Sequence, residues 1–245
     1  MCPNEQSTMF HTPKTKVRPA TKMAELIDAN PHLLLMLQHF NIDFRVNDLT
    51  VWQLCIRQGI SENLFVSIAN LYNGFDIRGP QPFTCGDLLL VIDFLKSSHD
   101  FYRRGKYPQI SSYIRQLQEN HPVREMKLLE KFFKEYFDEV LEHLDYEDST
   151  AFPYFISLLE GGENDRLGKR YSSKVYGDHH TDIELKLQDL KNLLLMYVDI
   201  EGDLELRRKL LFALYELEFD LYIHSLIEEK ILIPSGQRIE KEVNV

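Results

Sequence analysis

The same arrangement of side chains occurs twice in this chain, and its spacing restricts the fold more than any other feature. His99 lies 44 residues before His143, in His143-Leu144-Asp145-Tyr146-Glu147; His180 lies 44 residues before His224, in His224-Ser225-Leu226-Ile227-Glu228. Each copy is a histidine, a long gap and a His-x-x-x-Glu motif. Each motif then runs into a hydrophobic-proline sequence, Ala151-Phe152-Pro153 or Ile231-Leu232-Ile233-Pro234, which reads as a helix stop. Residues four apart share one helix face, so each motif aims an imidazole and a carboxylate the same way. One such motif is ordinary on a solvated helix. Two with matched flanks predict two nitrogens and two carboxylates meeting inside a bundle, most of a dinuclear metal site.

The gaps fit helical hairpins. From His99 the chain reads as helix to Asn120-His121-Pro122, a break with proline in the first turn of the next helix, and then returns to His143. From His180 it runs to Glu201-Gly202-Asp203, with Asp203 as the expected N-cap, and returns to His224. Each leg is about 21 residues, roughly 30 Å at the α-helical rise, so each hairpin brings its second motif back to the level of its first histidine. Pro108 is expected to kink the first leg.

Apolar stripes at helical spacing support the legs. Leu128, Leu129, Phe132, Phe133, Tyr136, Phe137, Val140, Leu141 and Leu144 mark the second; Ile183, Leu187, Leu190, Leu193 and Leu194 the third. Leu210, Leu211, Leu214, Leu217, Leu221 and Leu226, with Tyr215 and Phe219, mark the fourth. Thr84-Cys85-Gly86-Asp87 forms a capping box ahead of the first. These stripes predict a packed core and carry no chemistry of their own. The expected fold is all-α: an antiparallel four-helix bundle over residues 84–240, preceded by a small helical domain at 23–73, a linker at 74–83 and a flexible tail at 1–22. Within the small domain the pattern gives helices Ala24–Asp28, Leu33–His39, Thr50–Gln58 and Glu62–Tyr72, with Ser61 as an N-cap and Gly59 as a helix end.

Composition narrows the function classes. A net charge of −10 without a basic run disfavours nucleic acid, and no apolar stretch is long enough for a membrane span. Three scattered cysteines, Cys2, Cys55 and Cys85, offer no disulfide framework and fit a reducing cytoplasm.

Residues 84–240 resemble the hemerythrin-like (HHE) cation-binding domain, on the strength of His99, His143-x-x-x-Glu147, His180 and His224-x-x-x-Glu228 with their Phe152-Pro153 and Ile233-Pro234 flanks. Residues 24–72, through Phe40-Asn41-Ile42-Asp43-Phe44 and Cys55, look like the small N-terminal domain of the iron–sulfur cluster repair di-iron proteins. The resemblance implies a non-haem di-iron centre, oxo- or hydroxo-bridged, held by His99, His143, Glu147, His180, His224 and Glu228 with the carboxylates bridging. It also implies a role in the nitric oxide and oxidative stress response. One departure bears on that role. The family's adjacent cysteine pair after this phenylalanine is replaced here by Arg45 and Val46.

The donor types agree with iron or manganese, since imidazole and carboxylate without nearby cysteine do not suit a cluster or structural zinc. Six side chains leave two six-coordinate ions with open positions for water, O2 or nitric oxide. His180 is preferred over its neighbour His179 by the equal spacing, and Asp100, Asp182 and Asp220 are candidate partners for the imidazole N–H groups. The segment Gly161–Tyr176 joins the hairpins beside the ligands, either as a cover or as a plain connection. Three functions are open at this point: iron–sulfur cluster repair; an O2- or nitric-oxide-sensing module signalling to a protein partner; and a helical scaffold with a vestigial site. A homodimer through the small domain, around Leu33–Leu37, is a further expectation.

Overall fold

The computed structural model describes residues 15–77, 81, 83–161, 171–178 and 183–243, and every described element is helical. Contacts divide the chain between Phe83 and Thr84 into two compact units. Among the described residues, no helix is long and apolar enough to cross a membrane.

The first unit holds α1 (Met23–Ala29), α2 (Leu33–His39), α3 (Val51–Gln58) and α4 (Glu62–Tyr72). Thr50 and Gln53 form a capping box at the start of α3, Ser61 caps α4, and Gly59 ends α3 at φ 67°, where a residue without Cβ is favoured. Residues 15–22, expected in a flexible tail, are hydrogen-bonded to the unit, Val17 to α4 and Pro19 and Thr21 to the start of α3. The side chain of Asn70 accepts from Val17 N at 2.8 Å and donates back to Val17 O, and Val17 is buried. Leu33, Leu35, Met36 and Leu37 are likewise buried; the exposed large apolar side chains among the unit's described residues are Phe44, Trp52 and Ile56.

The second unit begins with α5 (Cys85–Asp100), capped by the reciprocal Thr84–Asp87 bonds that the sequence predicts. Then follow π1 (Phe101–Lys106), α6 (Tyr107–Asn120), α7 (Arg124–Tyr146), π2 (Glu147–Ala151) and α8 (Phe152–Leu159). After them come α9 (Ser173–Asp178), α10 (Ile183–Met196), α11 (Leu204–Ile227), π3 (Glu228–Leu232) and α12 (Ile233–Val243). Helices α6, α7, α10 and α11 pack in a closed circuit, each against two of the others. Short turns join α6 to α7 and α10 to α11, so the members of each hairpin run in opposite directions. Their apolar faces meet in one core that includes Ile110, Leu129, Phe137, Leu190, Leu214 and Leu217. Full burial of each such side chain contributes about 1.5–3 kcal/mol. Leu128 and Tyr215, assigned to the stripes from sequence, lie exposed at the stripe edges.

Two local expectations change. Pro122 precedes α7 rather than opening it. Asp203 occupies the N-cap of α11 at φ 47° without capping it; its carboxylate accepts instead from Asn120 and from His121, each at 2.8 Å, tying the two interhelical turns together.

The larger correction concerns the prolines. Neither Pro153 nor Pro234 stops a helix: α7 continues through π2 into α8, and α11 through π3 into α12. Each π segment closes with an i→i+5 bond, from Tyr107 N to Tyr102 O, Phe152 N to Glu147 O and Ile233 N to Glu228 O. Pro108, Pro153 and Pro234 each stand second in the helix that follows. A proline in a regular helix abolishes the bond to the residue four before it and clashes with that carbonyl. Here that residue, Arg104, Ser149 or Lys230, lies in a turn already wound i→i+5, where the bond that proline would remove is not made.

Candidate metal centre

Three helices deliver their ligand candidates at the point where regular winding gives way. His99 is in the last turn of α5, two residues before π1. His143 is in the last turn of α7 and Glu147 opens π2; His224 is in the last turn of α11 and Glu228 opens π3. Because α-helical winding persists from each histidine to its glutamate, the i,i+4 pairs keep a common face.

Glu147 lies between two groups of donors. Its Oε1 faces His143 Nε2 at 2.9 Å; its Oε2 faces His99 Nε2 at 3.1 Å and His224 Nε2 at 3.7 Å. Glu228 Oε1 approaches His224 Nε2 at 3.4 Å. Two sets of potential ligand atoms result, each within 4.8 Å: His99, Glu147 and His224 in one, His143, Glu147 and Glu228 in the other. The Glu147 carboxylate belongs to both.

These residues fit a metal. His99, Glu147 and Glu228 are fully buried, and His99 Nε2, His224 Nε2 and Glu147 Oε2 have no hydrogen-bond partner despite their closeness. Buried polar atoms left in this state are costly unless something else satisfies them. The separations of His99 and His143 from the Glu147 oxygens, 3.1 and 2.9 Å, match the edge of an octahedron with bonds of about 2.1 Å, while His224 stands further off at 3.7 Å. Imidazole and carboxylate with no thiolate suit iron or manganese.

Hydrogen bonds behind the imidazoles set which nitrogen faces inward. Asp148 Oδ1 accepts from His99 Nδ1 at 3.0 Å, and Arg103 holds Asp148 Oδ2 at 2.7 Å while reaching Asp145 with its other nitrogen. Ser98 gives its hydroxyl hydrogen to Leu95 O at 2.7 Å, which leaves its oxygen to accept from His224 Nδ1 at 2.8 Å. Both bonds engage Nδ1 and turn Nε2 toward Glu147.

A residue from outside the motifs completes the described centre. Tyr176, in α9 and buried, directs its phenol at both carboxylates, 2.8 Å from Glu147 Oε1 and hydrogen-bonded to Glu228 Oε1. Its helix is held by Glu240 of α12, which accepts from Ser173 N at 2.6 Å and Ser173 Oγ at 2.7 Å. Gly236 permits this approach: a Cβ there would stand 2.5 Å from Phe155 Cε1 and closer still to Ser173 Oγ. The segment that the sequence left as cover or connection thus sends one side chain into the centre; residues 162–170 lie outside the described ones.

The electrostatics are those of a charged cluster out of water. Burial alone would raise the Glu147 carboxyl, but His143, His224 and His99 outweigh it and hold the group well below the usual carboxylate range. Burial would lower His224, yet Glu228 and Glu147 raise it to about 10. For Tyr176, burial and both carboxylates act together and push the phenol well above its ordinary value.

Of the six residues singled out from sequence, the structure brings together His99, His143, Glu147, His224 and Glu228; His180 lies outside the described residues, as do His179 and Asp182. Asp100 is exposed and pairs with Arg104, and Asp220 is buried and accepts from Tyr102 Oη at 2.9 Å. Sequence reasoning missed Asp148, Ser98 and Tyr176. Asp148 and Ser98 each adjoin a ligand, which is the one signal that could have raised them; Tyr176 carries none. In the first unit, Arg45 is exposed and Val46 buried where a thiol pair was sought. Cys55 is buried, and burial followed by Glu62 pushes its thiol up to about 12.

No family model matches the chain. It is similar to an iron-sulfur cluster repair protein, ScdA, of Staphylococcus haemolyticus: 26% identity over 146 residues, 58% of this chain and 64% of that protein. The match thus spans less than two-thirds of the relative's length.

Proposed function

We propose that this protein binds two iron ions at the buried His–Glu centre and acts in iron–sulfur cluster repair under nitric oxide or oxidative stress, in the cytoplasm. The observation that carries the reading is the position of Glu147, one carboxylate with each oxygen turned to a different group of donors. The similarity to a repair protein gives the direction of function.

In this reading His99, His224 and Glu147 Oε2 hold one ion, and His143, Glu147 Oε1 and Glu228 hold the other, with His180 as the remaining imidazole. Bound there, two irons supply open coordination positions for O2 or nitric oxide and a releasable store of iron. The chain's own part is positional. Asp148 and Ser98 keep the Nδ1 protons of His99 and His224 in place, so that Nε2 stays free to bind. Arg103 holds Asp148.

A second reading has an observation in its favour. With Arg45 and Val46 in place of a thiol pair and Cys55 buried, the described residues of the first unit present no exposed thiol for handling iron. That shifts weight to a sensor in which O2 or nitric oxide bound at the centre alters association with a protein partner, or a second copy, through the first unit. The exposed Phe44, Trp52 and Ile56 are the apolar side chains such a surface would use. The two readings separate in one experiment: incubation of the iron-loaded chain with a [4Fe–4S] enzyme damaged by nitric oxide. Repair predicts that enzyme activity returns as iron leaves this chain. Retention of iron, no recovery, and a ligand-dependent change in oligomer or partner binding would replace repair with sensing.

A further inference from the structure

We infer that Tyr176 is itself a metal ligand, and of one position only. The inference rests on the metal reading above and adds to it a residue outside the His–Glu motifs.

The two positions differ in what surrounds them. Around Glu147 Oε2 the donors are the imidazoles of His99 and His224, each anchored from behind. Around Glu147 Oε1 stand His143 Nε2 at 2.9 Å, Glu228 Oε1, and the phenol oxygen of Tyr176 at 2.8 Å. That phenol contacts both carboxylate oxygens of its position, and the octahedral edge of about 3 Å fits it as it fits the histidine. A phenol has one hydrogen, so it cannot donate fully to two carboxylates at once. Three oxygens gathered side by side in a buried position form a cluster that a cation satisfies better. On binding, the phenol O–H breaks, an oxygen–metal bond forms and the proton leaves to solvent; no electron moves in that step.

Tyr176 is also held where a ligand must be held. Glu240 clamps the start of α9, Gly236 leaves room for it, and Tyr171 Oη meets Tyr146 Oη at 2.9 Å at the edge of the same segment. A side chain so placed retains little rotational freedom to lose on coordination.

The test is resonance Raman spectroscopy on the full chain, loaded with ferrous iron without oxygen and then oxidised in air. Wild type should show a visible phenolate-to-iron charge-transfer band with tyrosinate ring modes. Tyr176→Phe should lose both while keeping iron, and Tyr171→Phe should keep both. Iron-loaded wild type without tyrosinate modes, or modes that survive in Tyr176→Phe, would overturn the assignment and leave the metal reading standing. Wild type that takes up no iron would overturn the metal reading, and this inference with it.

Discussion

Glu147 gathers the chemistry of this chain into one side chain, because each of its oxygens meets imidazole from a different helix. Its place in the cluster was legible in sequence through the i,i+4 motif, as were those of His143, His224 and Glu228, and that of His99 through the 44-residue spacing. The residues behind them were not legible, since Asp148 reaches His99 across 49 positions of chain and Ser98 reaches His224 across 126. Such contacts are made by tertiary packing and leave no local spacing. They should nonetheless matter. Asp148→Asn keeps an acceptor but removes the charge that orients His99, and iron affinity should fall by about 10–100-fold in a chelator competition. Unchanged affinity would remove Asp148 from the account. Thiol reactivity gives a second residue-scale prediction. Cys85, which is exposed, should react with iodoacetamide at neutral pH, while Cys55 should react only on unfolding; equal labelling of both in the native chain would contradict its burial.

At the scale of elements, each π turn lies at or just after a ligand and is followed by a proline. Sequence reading took Pro153 and Pro234 for helix stops because proline in a regular helix interior is unfavourable by about 3 kcal/mol. Nothing local to Phe152-Pro153 says that the preceding turn is wound one residue wider, so the rule was applied where its premise fails. The same geometry yields a test. If Pro153 meets no regular helical bond, Pro153→Ala should change stability in urea by no more than about 0.5 kcal/mol. A gain near 3 kcal/mol would mean that the proline is straining an ordinary helix. Some helix ends, by contrast, were legible, because Thr84 and Ser61 act through neighbours three residues away; Thr50, read as the first residue of α3, is instead its N-cap. The clamp between α9 and α12 was not, being built by Glu240 and Gly236 from far along the chain. Gly236→Ala should destabilise the second unit by about 2 kcal/mol through overpacking against Phe155 and Ser173, read from the urea midpoint; an unchanged midpoint would refute the tight approach.

For the whole molecule, the buried charges of this His–Glu cluster should dictate how the metal-free chain responds to pH. Glu147 is held below its ordinary 4.5, so its stabilisation is full above that value and disappears as pH falls through the depressed one. His224 is raised to about 10, so its stabilisation is full below 6.5 and fades as pH rises toward 10. Thermal unfolding in chelator should therefore show greatest stability between about pH 4.5 and 6.5, falling on either side. Stability that climbs steadily from pH 6.5 to 9 would contradict the pairing. The overall class was readable because apolar spacing at 3.6 residues, repeated over long legs, admits little but a helical bundle. What the first unit does was not readable, because Arg45 and Val46 remove the one chemical signature sought there.

Metal stoichiometry tests the central claim most directly: iron per chain after anaerobic loading and removal of excess, for wild type and for Glu147→Ala. Wild type should retain about two irons per chain, and Glu147→Ala close to none, because the carboxylate is shared by both positions. A wild type that holds no iron, or a Glu147→Ala chain that still holds two, would contradict a centre built around this residue.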